Sequence, residues 1–398
     1  MKLRYRLFFL LLAFLLPWSL CAQKKQIQAA RDQVKSGKEL GKAISSMQGL
    51  LNDSANRHNP RIWMVLCDAL KAQYEQDNER LYLKQGADTT ALFSLTMRLY
   101  ETLSAYDSIE SQPLSKGRKF AEHRERNAAF LHSIRPNLFN GGVFYTRKQQ
   151  YEVAYRFYET YIQSAAWPIF TGYDYSEKDP LLPHAAYWTM YCGYKSGSAE
   201  RIIRYQRLAE RDTSMLNFVR QYQAEAFLLQ KDTVRYVNAL RDGFRRYPNF
   251  SFFYPRLIAY YEHNGLHDSS LVVTNRALEA DSTSVLFQLT KCSILLNLGR
   301  YDDCIALCEK LLEQNNSLAD AYYYIGLSYF NQAIAFDIVE QRHLAKRKEI
   351  IALYRKALPY LERYRALEPD KRERWLQPLY TIYLNLNMGK EFDEINGR

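Results

Sequence analysis

The chain has 398 residues, 54 of them basic and 43 acidic, giving a net charge of +11. That excess is mild and spread along the chain, as on a solvated helical surface, and no nucleic-acid-binding motif accompanies it. Removing Cys21 with the N-terminal segment described next leaves five of the six cysteines, an odd number, which excludes a complete set of intrachain disulfides.

Residues 1–22 read as an export signal. Lys2, Arg4 and Arg6 precede the apolar run Leu7–Leu16, and Pro17 breaks it. The run is too short to span a bilayer as a stable helix. Leu20-Cys21-Ala22 serves as the cleavage site, with cutting before Gln23. A lipoprotein signal acylated at Cys21 is the weaker reading, because a small residue is normal where Leu20 stands. Loss of the three basic signal residues lowers the net charge to +8. The expected location is the periplasm or the outer membrane, with no transmembrane segment in the mature chain.

From 23 to 134 the pattern is helical but irregular. Leu40, Ile44, Met47 and Leu51 share one helix face. Ile62–Tyr74 predicts a helix carrying Trp63, Leu66, Cys67 and Leu70. Glu75–Thr90 reads as polar and irregular, with Thr89 or Thr90 capping a helix over Ala91–Ile109. A loop at Pro113–Gly117 and a charged helix over Phe120–Ile134 follow.

A more regular region runs from 135 to 398. Pro136–Ala166 predicts a helical hairpin, with Gly142 at a small position, Tyr145 at an aromatic one, and Tyr151, Ala154, Tyr158 and Tyr161 on the second helix. Trp167–Leu182 is an insertion, best read as a packed elaboration held down by Trp167, Phe170, Tyr173 and Tyr175. Beyond it a beat sets in. Gly265 to Gly299 is 34 residues and Gly197 to Gly265 is 68, with Lys231 at the intervening slot. Units starting near 183, 217, 251, 285 and 319 keep this stride, and further units near 135 and 372 are set off from it by the insertions. Met190, Ala224, Ile258, Cys292 and Gly326 then share one slot of the first helix. Ala209, Gly243, Ala277 and Leu311 share one of the second, and Pro248 and Pro369 fall where second helices stop. In the unit from 319 the second-helix landmarks Ala357, Leu361 and Tyr364 arrive about nineteen residues late. Ala333–Tyr354 is therefore a second insertion, of helical composition, which predicts two extended helices. Trp375–Asn385 and Gly389–Ile395 close the chain as a terminal, capping unit.

The segment Leu295-Leu296-Asn297-Leu298-Gly299-Arg300-Tyr301-Asp302-Asp303-Cys304-Ile305 supplies an apolar run, a glycine that can end a helix, and two acids for the first turn of the next. With the stride of 34 it resembles the tetratricopeptide repeat. The resemblance covers most of the chain after the signal and is of an exported bacterial envelope type. It implies an all-α, right-handed superhelical solenoid of helix–turn–helix repeats with two insertions. It also implies that first helices line a concave groove. Tyr187, Tyr191, Tyr194, Phe218, Phe252, Tyr323, Phe330, Tyr380 and Tyr383 are the candidates to face it.

No phosphate-cradling glycine loop, HExxH or Gly-x-Ser-x-Gly occurs, and His184, His263, His267 and His343 are scattered. Catalytic, cofactor and metal residues are accordingly expected to be none. Cys67, Cys192, Cys292, Cys304 and Cys308 read as buried small residues, with a Cys292–Cys304 disulfide as a minor alternative. Their spacing, with no histidine nearby, argues against a metal site. Asp53-Ser54, Asp88-Thr89, Asp107-Ser108, Asp232-Thr233 and Asp281-Ser282 are similar to an O-glycosylation sequence of exported bacterial proteins, although such pairs also belong in turns. The expected function is a non-enzymatic envelope scaffold that binds a protein or peptide in its groove, the alternative being a glycan or cell-wall polymer.

Overall fold

A computed structural model describes residues 22–86, 88–111, 123–339 and 344–397. Residues 1–21 of the expected export signal, the loop expected at Pro113–Gly117, Phe120 and His343 lie outside them. Among the described residues there are helices and no strand. The chain divides into two compact units, one ending at Lys231 and one starting at Asp232.

The first unit begins with α1 (residues 22–36) and α2 (Leu40–Leu51), followed by α3 (Pro60–Tyr82), α4 (Thr89–Glu110), α5 (Arg124–Ile134), α6 (Pro136–Arg147) and α7 (Tyr151–Ser164). A 3-10 turn at Pro168–Phe170 and the short α8 (Tyr175–Lys178) make up the first insertion. Next come α9 (Leu181–Lys195), α10 (Ala199–Ile203), α11 (Gln206–Ala209) and α12 (Leu216–Leu229). The second unit comprises α13 (Thr233–Arg246), α14 (Phe253–His263), α15 (His267–Ala280), α16 (Val285–Asn297), α17 (Tyr301–Gln314), α18 (Ala319–Val339), α19 (Leu344–Leu367), α20 (Arg372–Asn385) and α21 (Gly389–Asn396). Within each unit, most helices pack against the helix before and the helix after.

The stride holds because one turn recurs. At Gly299 the chain takes φ +72°. The Gly299 N–H donates to the Leu296 carbonyl at 3.1 Å, and the Arg300 N–H to the Leu295 carbonyl at 2.9 Å. These two bonds satisfy carbonyls that the helix end would leave orphaned. Gly197 and Gly265 repeat the geometry, and Lys231 enters the same left-handed region at φ 57°. Gln149 and Asn387, which the glycine spacing does not mark, make the same turn at φ 59° and 56°.

Helices of a hairpin approach closely where the small slots fall. Met190, Ala224 and Cys292 are fully buried, as are Ala209 and Ala277, and Leu311 is nearly so. A Cβ on Gly326 would lie 2.6 Å from the Leu361 side chain of α19, so that crossing requires glycine. Ile258, the bulkiest residue in the first-helix slot, is only half-buried.

Some boundaries differ from the sequence reading. α3 continues to Tyr82 through residues expected to be irregular, because that stretch is rich in helix formers and carries the pairs Gln73–Asp77 and Asp77–Arg80 along one face. α4 is capped by Asp88, which accepts from the Thr90 N–H at 2.8 Å, rather than by a threonine. The second helix after Gly197 is broken into α10 and α11. The second insertion is built as expected, by lengthening α18 and α19.

Candidate functional site

Four of the nine candidate groove residues gather on α9 and α12. Tyr187, Tyr191 and Tyr194 recur at helical spacing on α9, so their rings stand along one face. All three pack around Tyr222 of α12, with ring centroids 6.0, 6.2 and 5.4 Å away, and Phe218 lies 6.3 Å from Tyr187. Tyr222 is 4% exposed and Tyr187 8%, so these two are the floor of the cluster. Tyr191, Tyr194, Phe218 and the neighbouring Trp188 are half-buried. Lys195, exposed at the end of α9, sits 5.6 Å from the Tyr191 ring and 5.7 Å from that of Tyr194. Trp188 donates its indole N–H to His184 Nε2 at 3.1 Å. Burial and the adjacent Tyr151 push the Tyr191 hydroxyl up to about 12, so it remains a neutral donor at physiological pH. The result is an apolar floor under a rim of hydroxyls and one cation.

In the second unit the candidates do not form one face. Phe252 is buried with the Arg256 guanidinium 3.8 Å above its ring. Tyr323 lies 4.8 Å from Tyr364 and carries Arg374 at 4.0 Å. Phe330 is buried against Tyr354, and half-buried Tyr380 packs on Phe392 of α21. Tyr383 is only 1% exposed and donates its hydroxyl to Glu362 at 3.1 Å, which makes it a core residue.

The first insertion is a second polar centre that the sequence reading did not mark. Arg135, 4% exposed, is clamped between the rings of Tyr161 and Tyr175, at 3.7 and 4.2 Å. Its guanidinium reaches Asp179 at 2.9 Å and the Tyr161 carbonyl at 3.0 Å, while the Tyr161 hydroxyl donates to the same Asp179 oxygen at 2.8 Å. The adjacent open cavity, about 530 Å³, is lined by Arg124, Ile169, Thr171 and Tyr173 among others. Arg124 there is held by both oxygens of Asp107, at 2.7 and 2.9 Å. Arg135 with Asp179, and Arg124 with Asp107, are engaged in holding these elements together.

All five cysteines in the described residues are buried and unbridged. Burial raises Cys67 and Cys192 to about 12, so they are inert thiols. Cys292 on α16 and Cys304 and Cys308 on α17 differ, because their three sulfurs all lie within 4.8 Å of one another. As a thiol, Cys304 donates to the Cys292 carbonyl at 3.2 Å. Hydrogen bonds from Cys292 and then Cys308 lower the Cys304 pKa, contact with Cys304 raises that of Cys292, and contacts with Cys292 and then Cys304 raise that of Cys308. No linear cysteine motif announces this group: Cys304 and Cys308 are one turn apart, and Cys292 reaches them only across the hairpin.

Of the Asp-Ser/Thr pairs, four are turn and cap elements. Asp53, Asp88, Asp232 and Asp281 each accept a backbone N–H two or three residues on. Asp107 instead lies within α4.

No family model matches the chain, and no curated protein matches it. Similar solved structures include the TPR domain of P58(IPK), at 10% identity over 92% of this chain and 99% of that one, with a TM-score of 0.27. Yeast Tom70 is 14% identical over 94% and 91%, with a TM-score of 0.29. The TPR2AB domain of yeast Sti1, in a complex with pHSP90, is 11% identical over 64% and 99%, with a TM-score of 0.24. At those scores the fold assignment rests on the chain's own hairpins and turns. Among the described residues no helix is long and apolar enough to cross a membrane.

Proposed function

We propose that this chain is a non-enzymatic interaction scaffold of the bacterial cell envelope, which holds a peptide or protein partner against the aromatic face of α9 and α12. The carrying observation is the combination of half-buried Trp188, Tyr191 and Tyr194 with exposed Lys195 above a rigid floor of Tyr187 and Tyr222. Rings already fixed by their neighbours lose little entropy on binding, and their hydroxyl tips tolerate both water and contact. Lys195 suits an acidic group flanking an apolar side chain of the partner. The export-type segment at 1–22 supports placement in the envelope.

The test is affinity capture from envelope extracts with the wild-type chain and with Y191A/Y194A/K195A, checked for helicity by circular dichroism. Loss of about 2 kcal/mol per aromatic anchor weakens a partner by roughly 30-fold or more for each. A partner retained at unchanged affinity by a folded variant overturns the reading. Binding to cell-wall glycans in place of any protein would do so as well.

A further inference from the structure

We propose that Cys292, Cys304 and Cys308 form a binding site for one soft monovalent cation of the Cu(I) class, held by three sulfurs in a plane. The three Sγ atoms lie within 4.8 Å of one another, and all three residues have no exposed surface. A cation bonded to three sulfurs at about 2.3 Å in a trigonal plane needs sulfur–sulfur separations of about 4 Å. The spacing already present therefore accommodates the metal with side-chain adjustment alone. Repeat packing asks for small volume at 292 and 304, and alanine would satisfy it. Three converging sulfurs are more than packing requires.

The surroundings choose the ion. Among the described residues no histidine or carboxylate completes the group. Its shell is mostly apolar, including Leu295, Ile305, Leu311, Ala321 and Ile325, all buried, with the buried Ser328 hydroxyl beside Cys304 as a polar neighbour. Zn(II) in a structural site takes four ligands in a tetrahedron, and among the described residues no fourth cysteine, histidine or carboxylate lies with the three. Thiolates select soft ions, and a three-coordinate ion is satisfied by what is present. Each sulfur that ligates does so as the thiolate and releases one proton to solvent. The metal enters and remains as Cu(I), so no electron is transferred. The two ligating helices belong to one hairpin, so the bound ion would pin α16 to α17.

The full-length chain, reduced and kept anaerobic, is titrated with Cu(I) buffered by a chromophoric chelator. One equivalent bound, with an ultraviolet thiolate-to-copper charge-transfer band and three sulfur neighbours by X-ray absorption, is expected. C292A, C304A and C308A should each weaken binding at least tenfold, while C67A and C192A leave it unchanged. Because all five cysteines are buried, pulse alkylation at increasing urea with mass mapping gives a readout that needs no variant: Cu(I) should raise the urea needed to label 292, 304 and 308 and leave 67 and 192 unmoved. Failure to compete with the chelator, protection spread over all cysteines, or a preference for four-coordinate Zn(II) overturns the site.

Discussion

The two insertions interrupt the same stride and meet opposite fates. The first, residues 167–182, folds back onto its unit: Ile169, Phe170 and Tyr175 are buried, and Asp179 neutralises the otherwise stranded Arg135. The second lengthens two helices outward. Among the described side chains, the buried ones nearest its tip are Ala333 on α18 and Tyr354 on α19; Ala335, Phe336 and the segment 347–349 are exposed. Proline and closely spaced aromatics make a segment that cannot stay helical and has area to bury. A helix-forming, basic segment has little to bury and continues the helices it interrupts. An insertion's composition thus decides whether it is stapled down or projects, and the energetic consequences of the two should differ several-fold.

The largest effect should come from breaking the staple. Arg135→Ala leaves Asp179, its side chain 10% exposed, without its cation and removes the flat group between two rings. A cost of about 3–5 kcal/mol is expected for one half of a buried pair. Urea unfolding of the full chain checks it. The paired replacement R135M/D179L, which leaves no uncompensated charge, should recover most of that loss. If Arg135→Ala costs under about 1 kcal/mol, the rings alone hold the insertion and the contrast with the second insertion is one of shape only.

An intermediate effect is expected at the base of the second insertion. Gly326→Ala puts a methyl 2.6 Å from Leu361 Cγ and 3.3 Å from the Leu361 backbone nitrogen. The side chain can give way but the backbone of α19 must follow, and overpacking of this kind costs about 1–3 kcal/mol. Gly49→Ala in α2 is the matched control: nothing lies within 4 Å of the added carbon, and helix propensity should stabilise it by up to about 1 kcal/mol. Thermal unfolding of the two variants should move in opposite directions. Destabilisation by both would mean that crowding at the α18–α19 crossing is not what sets the geometry.

These features were unequally legible in the sequence. The repeat stride was readable because glycine marks a left-handed turn, and Lys231 could be placed by counting even though nothing in lysine favours that conformation. Gln149 and Asn387 escaped because the backbone hydrogen bonds of the turn do the work and almost any unbranched residue can be forced into it. The extension of α3 to Tyr82 was missed because its polar residues look like a loop when no apolar stripe runs through them. Tyr187, Tyr191, Tyr194 and Phe218 were among nine groove candidates that the repeat register supplies. Their hub, Tyr222, was not, since its role depends on how α12 packs on α9. Arg135 and Asp179 are 44 positions apart, and the three cysteines meet across a hairpin turn. The first pairing is a tertiary fact that no local pattern records, whereas the repeat register already sets Cys292 and Cys304 on facing helices of one hairpin.

The smallest effect should be found at the projecting end of the second insertion. Phe336 is 41% exposed, three residues past the fully buried Ala333 of α18. Phe336→Ala removes an aromatic ring but returns helix propensity, and the net change should stay within about 1 kcal/mol. Phe170→Ala, the same chemical change at a site 3% exposed, should cost about 3–5 kcal/mol through the cavity it leaves. The ratio of these two costs, from matched urea titrations, measures the contrast directly, because chemistry is held constant and only placement differs. A large loss at Phe336 would mean that the projecting hairpin is covered in solution, so that its end is a contact surface rather than an extended helix pair. Equal small losses would remove the claim that the first insertion is held by burial.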